Sequence, residues 1–272
     1  MAKAFRNPSL LFAALLLGSI VLLAIFAGVL APYPPDAIDP NAILSPPSWS
    51  HLAGTDEVGR DIFSRVLFGA RPSLAVAFSI IAIAASGGVV VGSASALAGG
   101  LADTIVMRIV ELVMSMPGLV IALSLTAALG PSLINLTLAL GLLGIPYSAR
   151  IARGQTLLLR EHAYVRAAET MGAGGTHIFL RHILPNLLPT IVVFMSLGLS
   201  GALLGASALS FIGLGAQPPM PEWGALVNAS REYMLNEWWY ALFPGFAVAI
   251  TSLGFTLLGD GLRDYLDPKT VR

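Results

Sequence analysis

Cysteine is absent from the chain, which rules out disulfides, thiolate metal sites and a cysteine nucleophile. Charge is nearly as scarce. Asp, Glu, Lys and Arg make up 11% of residues, against about 25% in a soluble domain. The signs balance to a formal net charge of zero, so the overall charge gives no pointer to nucleic acid or an acidic partner. No Gly-x-x-x-x-Gly-Lys-Ser/Thr phosphate loop occurs, and no nucleotide site can be assigned. Neither a Ser/His/Asp set, an HExxH pair nor two facing carboxylates can be placed within the apolar runs.

What fills the chain is apolar: 56% hydrophobic residues and a mean hydropathy of +0.81. This is the composition of an integral membrane protein with room for about six spans of ~20 residues. Runs at residues 10–31, 73–99, 104–129, 132–149, 190–211 and 239–258 supply them. Lys3 and Arg6 precede the first, which is longer than a cleaved leader's apolar region and reads as a retained helix with its amino end in the cytoplasm. Gly88, Gly92, Ala96 and Gly100 form a strip of small residues suited to close helix packing. Pro117 inside the third run predicts a kink, with Ser115 or a neighbouring helix meeting the freed carbonyl. Trp238, Trp239 and Tyr240 sit where an aromatic belt would.

With the amino end inside, Lys3, Arg6, Arg108, Arg150, Arg153, Arg160, Arg166, Arg181, Arg263, Lys269 and Arg272 fall on the inner side. Arg60, Arg65, Arg71 and Arg231 fall outside. That asymmetry predicts six spans with both ends cytoplasmic. Arg108, Glu111, Arg150, Asp260 and Asp264 all lie at or near inner span ends, so the span centres lack ionisable groups. A proton- or ion-coupled carrier ordinarily needs such groups there. Uphill transport by this chain would therefore draw its energy from another polypeptide.

Two loops carry the remaining information. Residues 32–71 are polar and proline-rich, yet Val58, Ile62 and Val66, with Phe63 and Leu67 beside them, repeat at helical spacing after Asp56. Arg60, Asp61, Ser64 and Arg65 give that segment a polar side. It reads as an amphipathic helix, either a brace on the protein's own outer surface or a dock for an external partner. Residues 161–189 form the longest polar interruption and read as helix, glycine turn, helix. Tyr164, Ala168 and Met171 share one face, Gly172 terminates, Gly174 and Gly175 permit positive φ, and Thr176 caps the second helix. Pro185 and Pro189 limit that helix. His162, His177 and His182 are better explained as interface or solvent-facing residues than as a metal site.

Ala167-Ala168, Gly172 and Leu184-Pro185 match the E-A-A, three residues, G, nine residues, I-x-L-P pattern of a known family. Arg166 stands in place of Glu and His182 in place of Ile. The chain resembles the membrane subunits of bacterial ATP-binding-cassette importers, and RAAETMGA with RHILPN resembles the dipeptide, oligopeptide and nickel branch. HLAGTDEVGRDIFSRVLFGARPSL, ALSFIGLGAQPPMPEWGALV and GDGLRDYLDP extend the likeness over nearly the whole chain.

The resemblance implies an all-α polytopic bundle of the type I importer class in the bacterial inner membrane. Residues 1–71 would form a first span plus external loop, and residues 72–272 a five-helix permease core with a cytoplasmic coupling loop at 153–189. It implies a non-catalytic subunit whose partners are a second permease, two ATPase subunits that bind ATP and Mg, and an external solute-binding protein. Coupling to the ATPase would fall on Tyr164, Arg166, Ala167, Ala168, Glu169, Met171, Gly172, Ala173, His182, Leu184 and Pro185. Gly54, Thr55, Asp56, Gly59, Arg60, Asp61, Pro221, Glu222, Trp223 and Gly224 would form the outer loops and a dock for the binding protein. Peptide is the preferred solute, with nickel or another small solute as the alternative. An ion-coupled carrier is disfavoured by the charge-poor span centres.

Overall fold

The computed structural model describes residues 8–266. Among them the regular structure is helical, apart from an isolated bridge between Thr55 and Asp61. Helix α1 (Pro8–Ile25) is followed by a short turn, α2 (Ala27–Leu30), and then by the irregular loop. Helix α3 (Ile62–Ala98) leads through Gly99 into α4 (Gly100–Met114) and α5 (Gly118–Leu129). Helices α6 (Leu133–Arg160), α7 (Ala163–Thr170) and α8 (Gly175–Ile178) precede a π-helical turn at Phe179–Ile183. Helices α9 (Leu184–Phe211), α10 (Trp223–Ala229) and α11 (Trp238–Leu266) complete the order. Five helical rods are long and apolar enough to cross a membrane, and the bent α4–α5 pair makes a sixth if counted as one span.

The core is built where small residues let rods touch. A Cβ on Gly88 would lie 2.2 Å from that of Ser148, and one on Gly92 would lie 2.1 Å from the Ala149 carbonyl oxygen. The backbones of α3 and α6 thus meet along the strip of small residues, which fixes their register. Around that seam Leu74, Ile80, Leu136, Leu203, Leu209 and Phe255 close one apolar cluster drawn from α3, α6, α9 and α11.

Several elements differ from the sequence reading. No separate amphipathic helix follows Asp56; α3 starts at Ile62 and runs unbroken through Pro72 into the second span. Gly59 stands at φ +84°, and the Asp56 carboxylate accepts from the N–H groups of Val58 and Arg60, so the chain turns there instead of coiling. Asp61 then caps α3 by accepting from the Ser64 N–H at 2.8 Å. The third span is broken, with an 86° bend between α4 and α5. Pro117 is extended and disfavours helical backbone at Met116, while the Ser115 hydroxyl donates to the Leu112 carbonyl at 2.7 Å.

Helix α6 continues well past residue 149, because the arginines that mark the membrane exit do not stop a helix. Pro185 and Pro189 do not end α8 either: residues Gly175–Phe211 form one continuous rod. The π-helical turn ends at Ile183, two residues before Pro185, and absorbs the hydrogen bond and the space that this proline would disturb.

Candidate functional site

Arg160 ends α6, and α7 leaves almost at once with His162 extended at its start. Helix α7 buries Val165 against Ile178 and Ile183, with Leu97, Leu159, Ala173 and Phe179 alongside, and buries Ala168 as well. The buried stripe is therefore rotated from the one read in the sequence. Ala168 is on it, but Tyr164 is 41% and Met171 82% exposed. Val165, one position on from Tyr164, takes the inward place because it faces the returning chain at Ile178 and Ile183. Arg166, Ala167, Glu169 and Gly172 are exposed with Tyr164 and Met171.

The turn after α7 is held by backbone geometry. Gly172 sits at φ +83°, its N–H donates to the Glu169 carbonyl, and the Ala173 N–H donates to the Ala168 carbonyl. These two bonds close a left-handed helix cap that glycine adopts without strain. Gly174 has φ −69° and caps α8 without a side-chain bond, so neither Gly174 nor Gly175 carries the positive φ and Thr176 is not the cap. The fold brings His182 to Tyr164, with ring centroids 6.1 Å apart, while His162 and His177 flank that pair. His182 and Leu184 are half-buried and Pro185 is exposed.

Ion pairs tie this surface to the rods. The Arg160 guanidinium donates to the Ala96 carbonyl in the last turn of α3 at 2.8 Å and lies 3.8 Å from Glu169 on α7. Arg166 pairs with Glu161. Leu157, Arg160, Glu161, Arg166, Glu169 and Thr170 line a polar groove of about 480 Å³ between α6 and α7. Further along α6, Arg153 makes a two-pronged pair with Asp103 on α4, at 2.7 and 2.6 Å, and Ser95 of α3 donates to the same carboxylate. Sequence reading missed Asp103, one residue before the third apolar run; its only local signal was a carboxylate in the first turn of a helix.

The outer-loop residues fall elsewhere and mostly inward. Thr55, Asp56, Asp61, Glu222 and Trp223 are buried, as are Gly54, Gly59 and Gly224; Arg60 and Pro221 are half-buried. Asp56 pairs with Arg60 at 2.6 Å, and Glu222 caps α10 by accepting from Gly224 and Ala225 while also receiving the Ser73 hydroxyl. The Trp223 indole N–H donates to the Val66 carbonyl at 2.9 Å, and Arg65 donates to the carbonyls of Pro35 and Pro219. These side chains stitch the two loops together instead of presenting a face. Trp239 and Tyr240 are buried as well, leaving Trp238 as the exposed member of the expected aromatic belt.

A helical membrane bundle that carries this exposed helix and glycine cap beyond its rods has close relatives. Residues 88–272 match the family described as binding-protein-dependent transport system inner membrane component. This chain belongs to that family. The permease also matches, over residues 2–47, the N-terminal transmembrane domain of oligopeptide transport permease C. It is 48% identical to the probable D,D-dipeptide transport system permease protein of Escherichia coli, over 97% of this chain and 88% of that one. It is 39% identical to the dipeptide transport system permease protein of Alkalihalophilus pseudofirmus, over 97% and 87%. With the glutathione transport system permease protein of Pectobacterium atrosepticum it shares 41% identity, over 92% and 83%. As a family member the permease is a multi-pass inner-membrane component of a binding-protein-dependent transport system.

Proposed function

We propose that this chain is one of two permease subunits of an ATP-driven importer of short peptides, and that α7 with its glycine cap is where the ATPase engages it. The observation that carries this reading is the exposed surface of Tyr164, Arg166, Ala167, Glu169 and Met171 on a helix anchored by two buried side chains and two ion pairs. A short helix fixed in this way transmits a push instead of absorbing it. Nucleotide-driven closure of two ATPase subunits, which hold the ATP and Mg, displaces α7 and with it the inner ends of α6 and α9. The pathway then switches between inward- and outward-facing states. The switch requires that the ATPase bind α7 with different affinity in the two states, since equal affinity would shift nothing.

Catalysis is assigned to the partner subunits. A second permease completes the pathway, and an external binding protein delivers solute to the loops that Asp56, Arg65, Glu222 and Trp223 hold together. Both chain ends and α7 lie on the cytoplasmic side, as the charge asymmetry indicates. Peptide is favoured over nickel because the relatives are named for D,D-dipeptide, dipeptide and glutathione transport. The test is Gly172→Trp in the assembled importer: peptide uptake lost with the complex intact supports the coupling role, and normal uptake with normal assembly overturns it.

A further inference from the structure

The α4 arm is joined to the rest of the chain through glycine at its start, whereas α5 packs Ala122 into the main core. The arm leaves α3 through Gly99 and Gly100, which stand at φ +64° and +54° with open space where a Cβ would be. Two adjacent glycines at positive φ make a joint whose dihedrals carry no Cβ restriction. Helix α4 itself buries only Val110, and Leu101, Ile105, Ile109 and Leu112 are exposed. What holds its first turn is charge: Asp103 with the Nε and Nη2 of Arg153 and with Ser95.

The body it grips is rigid by comparison. Gly92 on α3 is pressed against Ala149 and the Arg153 backbone nitrogen on α6, and the Ser93 hydroxyl meets that of Thr156 at 3.0 Å. Two turns beyond Arg153, Arg160 bonds the end of α3 and approaches Glu169 on α7. The same α3–α6 body therefore carries the arm's anchor and the proposed ATPase contact.

We infer that Asp103 and Arg153 are positioning residues: a latch that holds the α4 arm against the α3–α6 body in one state of the transport cycle and releases it, about the Gly99–Gly100 joint, in the other, while α5 stays packed through Ala122 in the main core. The pair suits this role because partial separation is unfavourable. Both groups lie at the end of membrane-spanning rods, where a half-desolvated, unpaired carboxylate or guanidinium is costly, so the contact is either made in full or exchanged for water. A contact made in only one state biases the two populations, by roughly 10- to 100-fold for hydrogen bonds between charged groups. The inference rests on the ATP-driven permease reading for its purpose, but not for its measurement.

Because the native chain has no cysteine, spin labels can be placed at Ile109→Cys on α4 and Leu158→Cys on α6, both exposed positions. Their separation is then measured by double electron–electron resonance in the fully assembled importer without nucleotide. Asp103→Asn should raise the ratio of long to short distances by about tenfold or more and increase ATP hydrolysis in the absence of solute. Arg153→Gln should do the same, and the double variant should go no further than either alone. Asp103→Glu, which keeps the charge but displaces the fork, should fall between. A distance distribution unchanged by Asp103→Asn and Asp103→Glu, or additive shifts in the double variant, would overturn the latch. A Gly172→Trp complex that retains the wild-type distribution while losing uptake separates this result from the coupling reading.

Discussion

Glu222 concentrates three hydrogen bonds on one buried carboxylate. It caps α10 through two N–H groups and receives the Ser73 hydroxyl from α3, so it joins elements 149 residues apart in sequence. Glu222→Ala should lower stability by about 1–3 kcal/mol, because the donors it serves stay buried and unpaired. Glu222→Gln should lose less, since one acceptor oxygen remains. Tryptophan-fluorescence melting in detergent checks both, and an unchanged Tm for the alanine variant would contradict the assignment. In the sequence Glu222 stands out only through the family resemblance, as part of the outer loops and a dock, and nothing there points to Ser73. Ser73 and Val66, which bond the Glu222-Trp223 pair, both lie in α3, and no local periodicity reports a contact across that separation. For the same reason the sequence did not reveal that the carboxylates of Asp56 and Asp61 serve Arg60 and the cap of α3.

Among the elements, the α3–α6 seam is the feature most plainly written in the sequence. Small residues every fourth position announced a close approach, and Gly88 and Gly92 make it. Gly92→Leu drives a side chain into the Ala149 carbonyl and should lower stability by roughly 1–3 kcal/mol or more, read as a lower melting temperature and poorer recovery of the assembled complex. Gly172→Ala is a milder test of the cap. No atom obstructs a methyl group there, so its cost is the left-handed backbone alone, about 1 kcal/mol. It should leave assembly intact and slow peptide uptake only partly. Uptake as low as that of Gly172→Trp would point to a contact the cap does not explain. Helix ends were the least legible part. Proline reads as a stop at Pro185 and Pro189, but a π-helical turn upstream accommodates Pro185 while Pro189 lies inside α9, and neither adjustment leaves a mark in residue type. At Pro117 the opposite happened: a kink was expected, and the structure turns through 86°.

At the scale of the whole molecule, the bundle has a clear division of labour. Interlocked loops close one end, the α3–α6 body runs through the middle, and α7 projects at the other end. The loops and α7 should face opposite sides of the membrane. Trp49→Cys, at a site 99% exposed, should react with an impermeant maleimide in intact cells. Met171→Cys should react only after permeabilisation, and the reverse pattern would overturn the orientation. Hydropathy marks the apolar runs that become the long helices, and the charge asymmetry predicts the orientation that this labelling tests, because membrane insertion depends on composition. The stripe on α7 was misread by one position because eight residues give too few turns to fix a phase, and the chain that covers Val165 returns only at Ile178. The central claim, that α7 is the point where the ATPase acts, is tested most directly by cross-linking from Ala167→Cys in an otherwise cysteine-free permease within the assembled importer. The account predicts a cross-link to the ATPase subunit whose yield changes with nucleotide, and none from Trp49→Cys. Efficient cross-linking from Ala167→Cys to other partners, with the ATPase untouched in every nucleotide state, would contradict it.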